Sequence, residues 1–160
     1  MVIHSSKLIQ VGWNEWCSLP ELNIPFIKAK IDTGAKTSSL HAFDIQADTQ
    51  KNIVQFTVHP VQGDTKITIP CQATIVDTRN VMSSNGHIEP RYVIKTPIIL
   101  GEKQWKIEVT LSNRDPLQYR MLLGREALKK RVLVDPQHDS LLCKIRKKDI
   151  ISTYKLLGED

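Results

Sequence analysis

The stretch Lys30-Ile31-Asp32-Thr33-Gly34-Ala35 joins the end of an apolar strand to a carboxylate on a tight turn. We interpret 26–31 as a strand that runs into this turn, where a carboxylate is held rigidly and still faces a cleft. Gly34 lets the backbone pass close to the carboxylate, and the Thr33 hydroxyl can hydrogen-bond to neighbouring backbone. Turns of this composition are common in proteins, so this stretch alone does not distinguish a structural turn from a catalytic one.

A second apolar strand, in Met121-Leu122-Leu123-Gly124-Arg125-Glu126-Ala127-Leu128, ends in glycine and opens a short helix. Together with the D-T-G-A turn it resembles the paired signature of retropepsin-like aspartic peptidases. The resemblance implies that Asp32 is catalytic and that the second strand passes beneath the catalytic loop and backs it. It also implies that the loop is supported by Thr33, Gly34, Ala35, Gly124 and Arg125.

Further stretches extend the match over roughly residues 9–145. They are Val11-Gly12-Trp13, Glu15-Trp16, Leu19-Pro20-Glu21-Leu22, the segment 28–42, the junction 122–125 and Val134-Asp135-Pro136. In these stretches the chain resembles bacterial proteins labelled ATP-dependent zinc proteases, which often occur with an ATP-grasp ligase that adds glutamates to a ribosomal protein. The resemblance implies an acid-protease β-barrel, a role in glutamate-tail metabolism and a glutamate ligase as a partner.

The rest of the pattern is mostly β and gives no domain boundary, so we expect one domain over residues 1–160 with a core at about 9–145. Many short strands with regular turns predict an all-β fold, a small closed retropepsin-like barrel with one short helix at 125–130. Hairpins are predicted around 62–64, around Asn85-Gly86 and around 101–103, and closing strands at 132–135 and 140–145.

The family label and the implied fold disagree about chemistry. A zinc hydrolase needs about three protein ligands and an open position for water. The five histidines, His4, His41, His59, His87 and His138, show no H-E-x-x-H or related spacing. The residues therefore predict no metal site and no cofactor, and zinc rests on the label alone. No P-loop motif is present, so ATP would act through a partner.

Aspartic catalysis needs two carboxylates that share one proton, and the chain holds a single D-T-G. The other aspartates considered as a second carboxylate all lie outside a D-[ST]-G context. A twofold homodimer in which Asp32 of each chain meets at the axis is the economical solution. We expect the two Asp32 carboxyls to titrate as a coupled pair.

A flap that covers the substrate is expected at the hairpin 81–87, which lies between the two motifs in the order of a flap. The retropepsin resemblance places an aspartate shortly after D-T-G-A to pair with the arginine of the junction, and here Lys36 stands there. Lys36 and Arg125 then leave positive charge near the cleft, which an acidic peptide would neutralise. The expected substrate-binding residues are Lys36, Thr37, Ser38, Arg125, Asn85 and Gly86.

Composition sets the remaining expectations. No stretch has the roughly 18 apolar residues of a membrane span, and no secretory signal is recognisable, so a cytoplasmic protein without membrane contact is expected. Net charge is +5, but aromatic residues are not interleaved with the basic runs, which argues against a nucleic-acid partner. Two alternatives to an aspartic peptidase stay open: a catalytically silent retropepsin fold that binds the ligase or an acidic tail, and a true zinc metallopeptidase.

Overall fold

The structure is a computed structural model that describes residues 8–82, 86–113 and 118–158. Strands predominate, with two α-helices and one turn of 3₁₀ helix, Pro20–Leu22, in the described residues. The strands are β1 (Ile9–Val11), β2 (Asn14–Leu19), β3 (Ile24–Ile31), β4 (Ser38–His41), β5 (Phe43–Asp48), β6 (Ile53–Val58), β7 (Ile69–Met82), β8 (Ile88–Leu100), β9 (Lys103–Ser112), β10 (Met121–Leu123) and β11 (Val132–Val134). The helices are α1 (Arg125–Leu128) and α2 (Lys147–Leu157).

Six strands close into a barrel in the order β2-β3-β10-β4-β9-β8, and a pairing between Ser18 of β2 and Ile99 of β8 closes the ring. β10 pairs in parallel with β3 and antiparallel with β4, so it fills the gap between them. The sheet continues past β8 through β7, β6 and β5. The predicted closed barrel is confirmed.

The barrel interior follows from alternation along the strands. On β3, Ile27, Ala29 and Ile31 are buried while Lys30 is exposed. Each fully buried aliphatic side chain of this kind contributes roughly 1.5–3 kcal/mol relative to exposure. Because β3 is packed along its length, its last residue is a fixed point from which the next turn departs.

The hairpin predictions hold in the described residues. β7 and β8 pair antiparallel from Ile75 opposite Ile94 out to Met82 opposite Ile88. β8 and β9 turn through Gly101, whose φ of 62° lies in the left-handed region that glycine favours. β6 pairs with β7, although β7 begins at Ile69, later than the sequence indicates.

Two predictions at the C-terminal end are wrong. Residues 140–145 form no strand, and a second helix, α2, follows them. Ile150 and Tyr154 of α2 are buried against a small cluster that includes Val61, so the packed structure continues past residue 145. The Tyr154 hydroxyl donates to the Phe26 carbonyl and accepts from the Phe26 N–H at 3.2 Å, which satisfies a part of β3 beyond the reach of β10.

The predicted strand at 132–135 is present as β11, but it pairs in parallel with β1 outside the barrel. Cys17 and Cys71 are buried free thiols and Cys143 is exposed. Burial raises the pKa of both buried thiols to about 12. Neither helix of the described residues is long and apolar enough to span a bilayer.

Candidate active site

Asp32 is the first residue after β3 and is half-buried. Its N–H donates to the carbonyl of Leu123 at 2.9 Å, which continues the parallel ladder in which Leu123 lies opposite Ile31. On the other side of β3, the Ile31 N–H donates to the Trp13 carbonyl at 2.9 Å. The backbone at Asp32 is therefore fixed from both neighbouring strands.

The turn itself is closed by the Asp32 carboxylate and carbonyl. Gly34 N–H donates to Asp32 Oδ1 at 2.9 Å, and Ala35 N–H donates to the Asp32 carbonyl at 3.2 Å. A Cβ on Gly34 would lie 3.1 Å from the same Oδ1, tighter than most contacts allow. Gly34 therefore lets the backbone approach the carboxylate and orient it.

Gly124 lies directly beneath this loop. A Cβ at this position would be 2.6 Å from the Thr37 carbonyl oxygen and 2.9 Å from that of Ala35, and backbone atoms cannot yield cheaply. The Gly124 N–H donates to Ser38 Oγ at 3.1 Å, and Ser38 is buried. Ser38 was expected to contact substrate, and its burial fits support of the loop better.

Arg125 bonds to the loop through both its backbone and its side chain. Its N–H donates to the Ala35 carbonyl at 2.8 Å, and its guanidinium donates through Nη1 to the Thr33 carbonyl at 3.0 Å. The guanidinium thus finds a backbone oxygen where the retropepsin resemblance places a carboxylate. Glu126, the substitute considered from sequence, forms its ion pair with Lys129 at 2.7 Å, and that hydrogen bond lowers the pKa of the Glu126 carboxyl.

Glu15 is a residue whose role the sequence did not reveal. It is fully buried, and its carboxylate accepts from the N–H groups of Gly12 at 2.7 Å, Leu141 at 2.9 Å and Leu142 at 3.0 Å. It ties the C-terminal segment and the turn before β2 to the barrel. An available signal was the alternation along β2, in which Glu15 shares its face of the strand with the apolar residues Cys17 and Leu19.

A groove of about 740 Å³ begins at the loop residues Lys36 and Thr37 and runs over the outer face of β8 and β9. Lys36 is exposed, as expected of a substrate-binding residue, and Thr37 is half-buried. Four cationic and two anionic side chains line the groove: Lys36, Arg79, Lys95, Lys106, Glu108 and Glu126. This basic groove borders the Asp32 loop at Lys36 and Thr37.

The β7–β8 hairpin has the position in the chain expected of a flap. Its outer end is exposed on both strands: Met82 is 67% and Ile88 63% exposed. Gly86 is exposed with a φ of 79°, which fits a turn, whereas Asn85 lies outside the described residues.

The zinc label was tested against the side chains present. Among residues 8–82, 86–113 and 118–158, no three His, Cys, Asp or Glu side chains cluster as a metal site requires. His41 is buried on β4. The described residues do not fit a zinc centre, and no step of the chemistry below uses one.

Comparison with known proteins agrees with this geometry. Residues 10–144 match a family model described as RimB-like, retropepsin-like aspartic endopeptidase RimB. A solved protein of unknown function from Legionella pneumophila superposes with a TM-score of 0.67 at 29% identity, covering 84% of this chain and 98% of that one.

Curated relatives carry a different name. Proteins of Desulfotalea psychrophila and Parasynechococcus marenigrum, each named probable alpha-L-glutamate ligase, are 46% and 47% identical over 90% and 93% of this chain. The chain spans about a third of their length, 32% in both cases. Fold, loop geometry and family match converge: the chain belongs to the RimB-like family of retropepsin-like aspartic endopeptidases.

Proposed function

We propose that the protein is a homodimeric aspartic endopeptidase in which each chain contributes Asp32. The observation that carries this proposal is the loop: Asp32 Oδ1 accepts from Gly34, and the loop is braced from beneath by Leu123, Gly124 and Arg125. A rigid, half-buried carboxylate at a strand end is what activation of a water molecule requires.

Two such carboxylates within hydrogen-bonding distance cannot both ionise, so they share one proton. The ionised Asp32 takes a proton from water, which attacks the scissile carbonyl, and the protonated Asp32 of the partner chain donates to the carbonyl oxygen. Collapse of the tetrahedral intermediate breaks the C–N bond as the first Asp32 gives the leaving amine the proton that it took from water. Asp32 of the partner chain regains its proton from a hydroxyl of the intermediate, which leaves the carboxylic acid product and restores the shared proton. The single D-T-G per chain supports the twofold arrangement.

The β7–β8 hairpin serves as the flap in this proposal. Its exposed Met82 and Ile88 provide apolar surface that would cover a bound peptide and exclude water. Asn85 and Gly86 remain proposed contacts to the substrate backbone.

An acidic, glutamate-rich polypeptide is the proposed substrate. Lys36, Thr37 and Arg125 stay proposed binding residues, and the basic groove that begins at Lys36 supports the charge preference. Relatives named alpha-L-glutamate ligase support a place in glutamate-tail metabolism, with such a ligase as a partner in the cytoplasm.

Asp32→Asn tests the proposal because it keeps the shape of the side chain and removes its base. We expect loss of cleavage of a glutamate-rich peptide by at least about a thousandfold, with an unchanged thermal melt. Asp48→Asn, at the exposed last residue of β5, is the matched control and should keep full activity. Cleavage that survives Asp32→Asn but is lost with a chelator would instead support a metallopeptidase.

The ligase name of the relatives also favours a second candidate, a catalytically silent module that binds the ligase or an acidic tail. In that case neither the wild type nor Asp32→Asn would cleave the peptide, and calorimetry would show that both bind it with equal affinity.

A further inference from the structure

Arg79 and Glu108 meet inside the basic groove. Arg79 lies on β7, on the hairpin proposed as the flap, and Glu108 lies on β9 in the barrel wall. The guanidinium Nη2 donates to Glu108 Oε2 at 3.1 Å, and this contact crosses β8, which separates the two strands in the sheet. The pair therefore connects the hairpin to the wall within the groove that leaves the catalytic loop.

The guanidinium is oriented by a second carboxylate. Its Nε donates to Asp77 Oδ2 at 2.9 Å on the same strand, while its terminal Nη2 contacts Glu108. A guanidinium fixed in this way presents the paired donors that suit a carboxylate. In the free protein, that carboxylate is Glu108.

Two neighbouring lysines, Lys95 and Lys106, differ from Arg79 in their pairing. Within the described part of the chain, Lys95 and Lys106 form no ion pair, although both line the same groove. Glu108 is thus one internal carboxylate placed among Arg79, Lys95 and Lys106. An anionic side chain entering the groove would meet the same cations.

The bond between Arg79 and Glu108 is easily exchanged. The two side chains are 36% and 50% exposed, and ion pairs with this exposure are weak because water and salt screen them. An incoming carboxylate can therefore replace Glu108 at little cost. Glu108, as part of a barrel strand, stays nearby and returns when the ligand leaves.

We propose that Arg79 is a specificity-determining residue that binds a carboxylate side chain of the substrate, and that Glu108 occupies its guanidinium as an internal competitor in the free protein. This inference rests on the proposed function, since it names the residues that select an acidic substrate. It also couples the flap to selection, because the residue that binds the carboxylate lies on the hairpin.

The test compares cleavage of a short α-linked glutamate peptide with that of its glutamine counterpart. Arg79→Gln should lower kcat/KM for the glutamate peptide about tenfold and that for the glutamine peptide less than about twofold. Glu108→Gln should raise kcat/KM for the glutamate peptide about two- to fivefold, through KM, because Arg79 is released. Arg146→Gln and Asp149→Asn break an exposed ion pair at the start of α2, outside the groove, and are the matched controls.

Equal losses for the two peptides in Arg79→Gln, or a lower kcat/KM for the glutamate peptide in Glu108→Gln, would overturn the inference. If the wild type cleaves neither peptide, the proposed function fails while the groove is still tested by calorimetry. Tighter binding of the glutamate peptide by Glu108→Gln and weaker binding by Arg79→Gln would then support the subsite, and unchanged affinities would refute it.

Discussion

The catalytic loop and the outer end of the β7–β8 hairpin differ in how they are held. The loop bonds through its backbone to β10 and α1, and the residue before it, Ile31, donates to the Trp13 carbonyl. Gly124 lies against the Ala35 and Thr37 carbonyls. Among the described residues, the backbone of the hairpin end pairs only between its own two strands, and its apolar side chains are exposed. In the proposed mechanism, this difference divides the site into a fixed floor, which carries Asp32, and a cover, the hairpin end, which can move when substrate binds.

The largest effect is expected at the floor, from Gly124→Ala. Its backbone angles suit any residue, so the cost is purely steric: the new Cβ must displace the Thr37 and Ala35 carbonyls. We expect a loss of about 3 kcal/mol in the free energy of unfolding, measured by urea denaturation, together with loss of activity. Gly158→Ala, where a Cβ meets atoms no nearer than 3.7 Å, should change stability by less than about 0.5 kcal/mol.

Glu15→Gln should lower the free energy of unfolding nearly as much, because Glu15 connects the turn before β2 to the C-terminal segment. The substitution turns one oxygen into an N–H₂ group that faces backbone N–H donors in a fully buried site. We expect a loss of about 2–4 kcal/mol in the urea-derived free energy of unfolding. An equal response in Glu102→Gln, which changes an exposed carboxylate in the β8–β9 turn, would contradict this explanation.

A substitution at the hairpin end should have the opposite effect, lowering activity without lowering stability. Because Ile88 is already 63% exposed, Ile88→Ser should alter stability by less than about 0.5 kcal/mol, yet it should lower kcat/KM about fivefold or more. Leu156→Ser, at a side chain 67% exposed on α2, is the control that should leave both quantities unchanged. An Ile88→Ser variant that loses stability and activity in proportion would remove the distinction between floor and cover.

The last effect is confined to alkaline pH and concerns the two buried thiols. Since the pKa of Cys17 and Cys71 is raised to about 12 in the fold, the unfolded chain releases these protons first as pH rises. Their contribution is complete below about pH 9 and is lost above it, by about 1–2 kcal/mol per thiol at pH 10. Urea denaturation below pH 9 and at pH 10 checks this. Cys17→Ala should remove part of the dependence of the unfolding free energy on pH.

The residues that could be predicted from sequence are those whose signal is local. Asp32 and Gly34 lie in one turn, and the junction at Gly124 is recognisable because an apolar strand ends there in glycine and arginine. The hairpins followed from their turn residues, as at Gly101. Each of these signals lies within a few residues of the feature that it predicts.

Contacts between distant parts of the chain left no such signal. Glu15 accepts from Leu141 and Leu142, more than a hundred positions away, and only the fold brings them together. The pattern of charged residues indicated no partner for Arg125. Its acceptor is the backbone carbonyl of Thr33, and a sequence does not show which backbone carbonyl lies near a side chain. α2 does have a local signal, because Ile150 and Tyr154 are four residues apart and share one face of a helix. This signal is short and follows a basic run.

The central claim is that two Asp32 carboxylates, one from each chain, form one active site. The most direct test mixes wild-type protein with Asp32→Asn protein, allows subunits to exchange and measures peptide cleavage at constant total concentration. Because mixed dimers retain one carboxylate and are inactive, we predict that activity falls as the square of the wild-type fraction. A fall in direct proportion to the wild-type fraction would contradict the account, since each chain would then act alone.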